Sequence, residues 1–142
     1  MEGLPISVFD TVHDKLHFTK GALELIDTLH EHGWKIGVVS GGFMKWSICW
    51  RPKAYRLLIA NRLEVADGCL TGKVLGEIVS KTVKLHALQT WADRLGIPMS
   101  QTVAVGDGAN DIPMIQAAGL GLAFCAKPKT QLAADKASTT AT

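Results

Sequence analysis

The sequence predicts an α/β fold, a mostly parallel sheet with flanking helices. Three observations carry that expectation. Short apolar, β-branched runs at residues 34–40, 102–105 and 120–124 alternate with stretches of helical period. Polar glycine loops directly follow two of those runs, at Ser40-Gly41-Gly42 and Gly106-Asp107-Gly108. Alternating strands and helices build parallel βαβ units, and such sheets place ligands just past the C-terminal ends of their strands.

The bulk properties set limits. A chain of 142 residues, 47% hydrophobic and 20% charged, is expected to form one globular domain with a sizeable core. No apolar run approaches the length of a transmembrane helix, and Met1-Glu-Gly-Leu-Pro5 lacks a basic and hydrophobic leader. A net charge of +2 gives no argument for nucleic acid or a membrane surface as partner. Cys49, Cys69 and Cys125 are widely spaced among apolar residues and read as buried thiols of a reduced compartment, so the cytoplasm is expected.

The elements follow in order. Thr19-Lys20-Gly21 is expected to open a helix through His32, with Ala22, Leu25, Ile26 and Leu29 as its apolar stripe and Gly33 as its stop. Trp34–Ser40 is a strand, followed by the Ser40-Gly41-Gly42 loop. Asn61–Leu75 alternates weakly around Asp67-Gly68 and Thr71-Gly72, which suggests a small hairpin. A second helix is expected over about 80–95, with Leu85, Leu88, Trp91, Ala92 and Leu95 inward and Gly96 at its end. The strand Thr102–Val105 leads into the acidic loop, then a short helix from about Asp111 to Ala118. Leu120–Phe124 is one more strand, Pro128 opens a last helix, and the polar tail from Ala137 is expected to fray.

Chemistry concentrates in Val103-Ala-Val-Gly-Asp107-Gly-Ala-Asn110-Asp111. A carboxylate just beyond a buried strand is a hard oxygen ligand suited to Mg²⁺, which takes one or two carboxylates and shares a phosphate with them. Gly106 and Gly108 would let the backbone bend sharply and approach what Asp107 holds. A dinucleotide fingerprint fails here, because its third glycine would fall on Asp111, whose charge would face the pyrophosphate. A glycine turn with Asp111 capping the helix that Pro113 opens is the competing reading. The other loop, expected at the same end of the same sheet, offers the Ser40 hydroxyl and the N–H groups of Gly41 and Gly42 as a cradle for phosphoryl oxygens. Lys84 could add a point charge there, against the ordinary alternative of a solvated surface lysine.

These pieces, in this order, resemble the haloacid dehalogenase superfamily of phosphohydrolases, and within it the phosphoserine phosphatases. Val-Val-Ser40-Gly41-Gly42-Phe43 resembles motif II, Lys84 falls at the motif III lysine, and Gly106-Asp107-Gly108-Ala-Asn110-Asp111 resembles motif IV. Ala123-Phe-Cys-Ala-Lys-Pro128 extends the likeness, which covers roughly residues 5–43 and 57–138. The resemblance implies a Rossmann-like core and two-step phosphoryl transfer through an aspartyl phosphate. It also implies that Asp107 would ligate Mg²⁺. Asp111 would hold a metal-bound water or steady Lys84, and Ser40, Gly41, Lys84 and Asn110 would bind the phosphoryl oxygens.

The departures matter as much. Motif I, Asp-x-Asp-x-Thr/Val, would supply the nucleophile, the general acid and a second metal carboxylate, and it is absent. Ile6-Ser-Val-Phe-Asp10-Thr-Val12 imitates it, but position 12 is valine, and Asp14 falls on another face of the turn. The family comparison instead places Phe9–Leu16 at the end of the helical cap. The chain is therefore expected to be a single partial domain over 1–142. Residues 1–18 would be a cap remnant, 19–138 the core, and Met1 a late start within a longer reading frame. The missing strand would lie between those carrying motifs II and IV, leaving sheet edges open to self-association. Met44–Tyr55 has neither helical nor strand period, and Pro52 argues against a helix. Its codons, read one base out of frame from Phe43, give a plausible amphipathic helix, so a compensated frameshift is expected there.

The leading reading is thus a Mg²⁺-dependent phosphomonoesterase fragment acting on O-phospho-L-serine, the last step of serine synthesis, and inactive alone. Another phosphatase of the superfamily, a non-catalytic phosphate- or Mg²⁺-binding module, a complementing subunit and a non-functional remnant are the alternatives.

Overall fold

The computed structural model describes residues 2–8, 10, 19–43 and 57–138, and the chain forms two compact units, Met1–Val79 and Ser80–Thr142. The Met44–Tyr55 segment, Cys49 and Asp14 lie outside the described residues.

The first unit contains α1 (Ala22–Glu31), β1 (Gly37–Phe43), β2 (Leu57–Ala66) and β3 (Cys69–Leu75). Its sheet has the order β1-β2-β3, with β1 parallel to β2 and β2 antiparallel to β3. The hairpin expected at Asp67-Gly68 is present. Asp67 at φ 52 and Gly68 at φ 74 give the doubly left-handed turn that an Asp-Gly pair favours between twisted strands. Gly3–Ile6 covers the outer side of β3. The Gly3 N–H donates to Leu70 O at 2.7 Å, the Leu70 N–H to Leu4 O at 2.8 Å, and the Ile6 N–H to Gly68 O at 3.0 Å.

α1 stops before Gly33 as the sequence predicts, but its inward stripe is thinner than expected. Ala22, Ile26 and Leu29 are half-buried, Leu25 is 59% exposed, and no residue of the helix is fully buried. Its start also differs: Gly21 occupies the N-cap without a side-chain bond, and the Ala22 N–H turns back to Thr19 O.

The second unit contains α2 (Lys81–Arg94), a 3₁₀ turn (Met99–Gln101), β4 (Val103–Gly106), a second 3₁₀ turn (Ala109–Asp111), α3 (Ile112–Ala117), β5 (Leu120–Phe124), α4 (Pro128–Ala133) and β6 (Lys136–Ser138). The order β4-β5-β6 is parallel throughout, so the expected βαβ logic holds here. The core is made of small and branched side chains: Ala104 at 4%, Ile115 at 1% and Ala123 at 1% exposure, with Ala87 and Ala92 from α2. Ser80 caps α2, its hydroxyl accepting the Val83 N–H at 3.3 Å.

Four expectations are corrected. Leu95 is 42% exposed, because it is the C-cap where the backbone leaves α2, and the buried positions are Lys84, Ala87 and Ala92. The tail from Lys136 to Ser138 is a strand beside β5, bonded where the Cys125 N–H reaches Ser138 O at 2.7 Å. Cys125 is exposed and Cys69 half-buried, not buried thiols. Cys125 sits just past β5 at φ 46, where the backbone turns outward. The two glycine loops do not leave one sheet: among the described residues β1 and β4 are edge strands of separate three-stranded sheets, with no strand joining them. No helix of the described residues is long and apolar enough to cross a membrane.

Candidate functional site

In the second unit the acidic loop is built around Asp111. The chain leaves β4 at Gly106 and closes a 3₁₀ turn in which the Asp111 N–H donates to Gly108 O at 3.0 Å. That turn carries the Asp111 side chain back beneath the loop, where it is 4% exposed. One carboxylate oxygen, Oδ1, accepts from Lys84 Nζ at 2.6 Å. The other, Oδ2, accepts the backbone N–H groups of Asp107 at 3.1 Å and Gly108 at 3.2 Å. Burial alone would raise the Asp111 pKa. The Lys84 and Gly108 hydrogen bonds, the Lys84 charge and the Asp107 N–H together outweigh it and hold the carboxyl below its ordinary value.

Lys84 is 7% exposed on α2, which overturns the solvated-surface alternative. A lysine so buried needs a partner, and Asp111 is that partner. Gly106 makes the arrangement possible: a Cβ there would lie 2.4 Å from the Asp111 Cβ and 2.6 Å from its Cγ. Neither Gly106 nor Gly108 has a positive φ, so the first glycine serves the close approach of Asp111 rather than a sharp bend.

Asp107 is fixed through its main chain. Its N–H is held by Asp111, and its carbonyl accepts the Lys127 N–H at 3.3 Å. Its carboxylate is exposed at the end of β4, and Asn110 is exposed on the following turn. Among the described residues no group of three or more His, Cys, Asp and Glu side chains is gathered as a metal cage. One exposed carboxylate nonetheless suits Mg²⁺, which completes its shell with water and phosphate oxygens. Asp111 is buried and engaged by Lys84 and two backbone N–H groups, which suits it to support such a site from behind Asp107.

In the first unit, Ser40 and Gly41 lie in the second half of β1. The β1–β2 register breaks there: Ser40 pairs with Ala60, and the next partners are Phe43 and Asn61. The sequence expects a loop from Ser40, whereas the structure keeps Gly41 and Gly42 within β1 at an irregularity where neither has a register partner on β2. Asn61, which the sequence reading passed over, holds this break. It is 7% exposed, its Nδ2 donates to Gly41 O at 2.9 Å, and its Oδ1 accepts the Val79 N–H at 2.7 Å. The available signal was a lone amide after Leu57-Leu-Ile-Ala60, a polar group placed where the strand is buried. Asp10, the imitation of motif I, is exposed on a helical turn where its N–H donates to Ser7 O at 3.1 Å, not at a strand end.

Comparison with known proteins identifies the family. The family model for haloacid dehalogenase-like hydrolases matches residues 1–116. A phosphoserine phosphatase of Streptococcus thermophilus is 54% identical over 129 residues, covering 90% of this chain and 60% of the relative. A probable phosphoserine phosphatase from Vibrio cholerae, in unliganded form, superposes with a TM-score of 0.91 at 40% identity, over 97% of this chain and 43% of that one. A phospho-aspartyl intermediate analogue of phosphoserine phosphatase superposes at 0.92 with 41% identity, over 98% of this chain and 67% of that one. The chain spans 60% and 62% of the length of the two curated relatives with which it shares 54% and 48% identity. The chain belongs to the haloacid dehalogenase-like hydrolases, among the relatives of phosphoserine phosphatase.

Proposed function

We propose that this chain carries the phosphate- and Mg²⁺-binding part of a phosphoserine phosphatase, whose substrate is O-phospho-L-serine in the last, cytoplasmic step of serine synthesis. The observation that carries this reading is the buried Lys84–Asp111 pair beneath an exposed Asp107. Buried charge of this kind is costly to fold and is commonly found where a site needs a fixed cation. Asp111 holds the Lys84 ammonium in place, and within the second unit Lys84 and Asn110 bind phosphoryl oxygens, while within the first the Ser40 hydroxyl and the Gly41 N–H offer donors of the same kind. Asp107 provides the carboxylate for Mg²⁺. When bound, the ion neutralises phosphate charge and orients its oxygens.

The attacking carboxylate and its acid partner are missing from the sequence, which contains no Asp-x-Asp. Loss of a nucleophile costs on the order of 10⁶ in turnover where it has been dissected. The chain alone therefore binds phosphate and turns over O-phospho-L-serine negligibly. The test is phosphate release by purified chain with and without Mg²⁺, alongside binding of inorganic phosphate to wild type and Lys84→Met. Binding that Lys84→Met weakens, without turnover, supports the reading. Absence of binding overturns it. Mg²⁺-dependent release abolished by Asp107→Asn would place a nucleophile within this chain.

A further inference from the structure

We propose that Asn61 is a positioning residue: it sets the plane of the Gly41–Gly42 peptide and so aims the Gly42 N–H away from β2, as a donor for phosphoryl oxygens. The inference rests on the phosphate-cradle reading of the Ser40-Gly41-Gly42 loop. The orientation of the Asn61 amide follows from its partners. The Val79 N–H can only donate and the Gly41 carbonyl can only accept, so Oδ1 must face Val79 and Nδ2 must face Gly41. No cis peptide bond occurs among the described residues. In a trans, planar peptide the C=O and the following N–H point in opposite directions. Holding the Gly41 carbonyl toward Asn61 therefore turns the Gly42 N–H to the other side.

The hold is needed because of where it acts. The register between β1 and β2 skips Gly41 and Gly42, so that peptide lacks the regular partners that align the rest of β1. Two glycines in succession allow the plane to turn over at little steric cost. Asn61, buried and satisfied at both ends of its amide, supplies the missing constraint. Without it the loop samples both orientations, and apparent phosphate affinity falls with the fraction that remains competent.

The experiment uses the full chain labelled with ¹⁵N-glycine and titrated with inorganic phosphate, following the Gly41 and Gly42 amide signals, with Gly68 in the hairpin turn as internal control. In wild type, phosphate moves Gly41 and Gly42 and leaves Gly68 in place. Asn61→Asp keeps the shape and the acceptor for Val79 but sets a carboxylate against the Gly41 carbonyl. Phosphate affinity should fall about tenfold, with the free Gly42 signal displaced and Gly68 unchanged. Equal affinity in Asn61→Asp and wild type overturns the inference and leaves the cradle standing. A wild type whose Gly41 and Gly42 ignore phosphate overturns the cradle itself. Should the variant not fold, the wild type answers through its ¹⁵N-asparagine side-chain signals: the Asn61 amide must shift as phosphate saturates Gly41 and Gly42, and a stationary Asn61 signal rejects the role.

Discussion

Lys84 and Asp111, at 7% and 4% exposure, stand or fall together, because removing one strands the other's charge in the interior. Lys84→Met should therefore destabilise the chain by about 3–5 kcal/mol, read by urea unfolding, and a loss under half a kilocalorie would contradict the burial. Gly106→Ala must displace Asp111, whose Cβ lies 2.4 Å from the added methyl, and should cost about 1–3 kcal/mol. The pH dependence has a definite sign. The Asp111 carboxyl is held below its ordinary value, so it adds stability that is complete above the ordinary carboxylate range and disappears as pH falls through the lowered value. In metal-free buffer, Asp111→Asn should flatten the acid limb of the thermal midpoint against pH, and superimposable limbs would reject this. Asp107 and Asp111 were legible in the sequence because glycines bracket the first and a proline follows the second. The pairing of Lys84 with Asp111 was implied only by the family resemblance; its burial was not legible, because a lysine on a helix carries no local sign of a partner 27 positions away. Asn61 was missed for the same reason, since its two partners come from distant segments.

Among the elements, those with strong period or turn chemistry were readable in advance. The start of α2 near residue 80, the Asp67-Gly68 hairpin and Leu120–Phe124 fall where the sequence put them. β6 did not, because Lys-Ala-Ser carries no strand preference and forms only by pairing with β5. Asp135 makes that pairing possible. Its N–H donates to Gly121 O at 2.9 Å and its Oδ2 accepts the Gly121 N–H at 2.8 Å. Asp135→Ala should expose β6 first: amide exchange at Lys136–Ser138 should accelerate well before that of β4, whereas uniform acceleration would mean β6 is not a separable edge. Ser80→Ala should cost about 1 kcal/mol through the lost cap, measurable in the same unfolding series.

At the scale of the whole chain, β4 is an edge strand of its sheet among the described residues. Val105 of β4 is 54% exposed. Unpaired N–H and C=O groups along such edges are templates for another strand, so the chain should self-associate with rising concentration. Sedimentation equilibrium from micromolar to millimolar protein checks this, and a strict monomer across that range would show the edges to be protected. The parallel alternation of strands and helices was legible in the sequence. The division into separate sheets was legible only through the resemblance, which leaves a strand missing between those carrying motifs II and IV; the short strands by themselves say nothing about which neighbours are present. The anchoring of Asp111 carries one more consequence. Its carboxylate fastens α2 and the loop after β4 at once, so substitution there is punished by misfolding whether or not any substrate is ever turned over. The Gly-Asp-Gly-x-x-Asp signature is thus a fastening as well as a chemical motif, and any Asp111 variant must be read for folding before its effect on a reaction is interpreted.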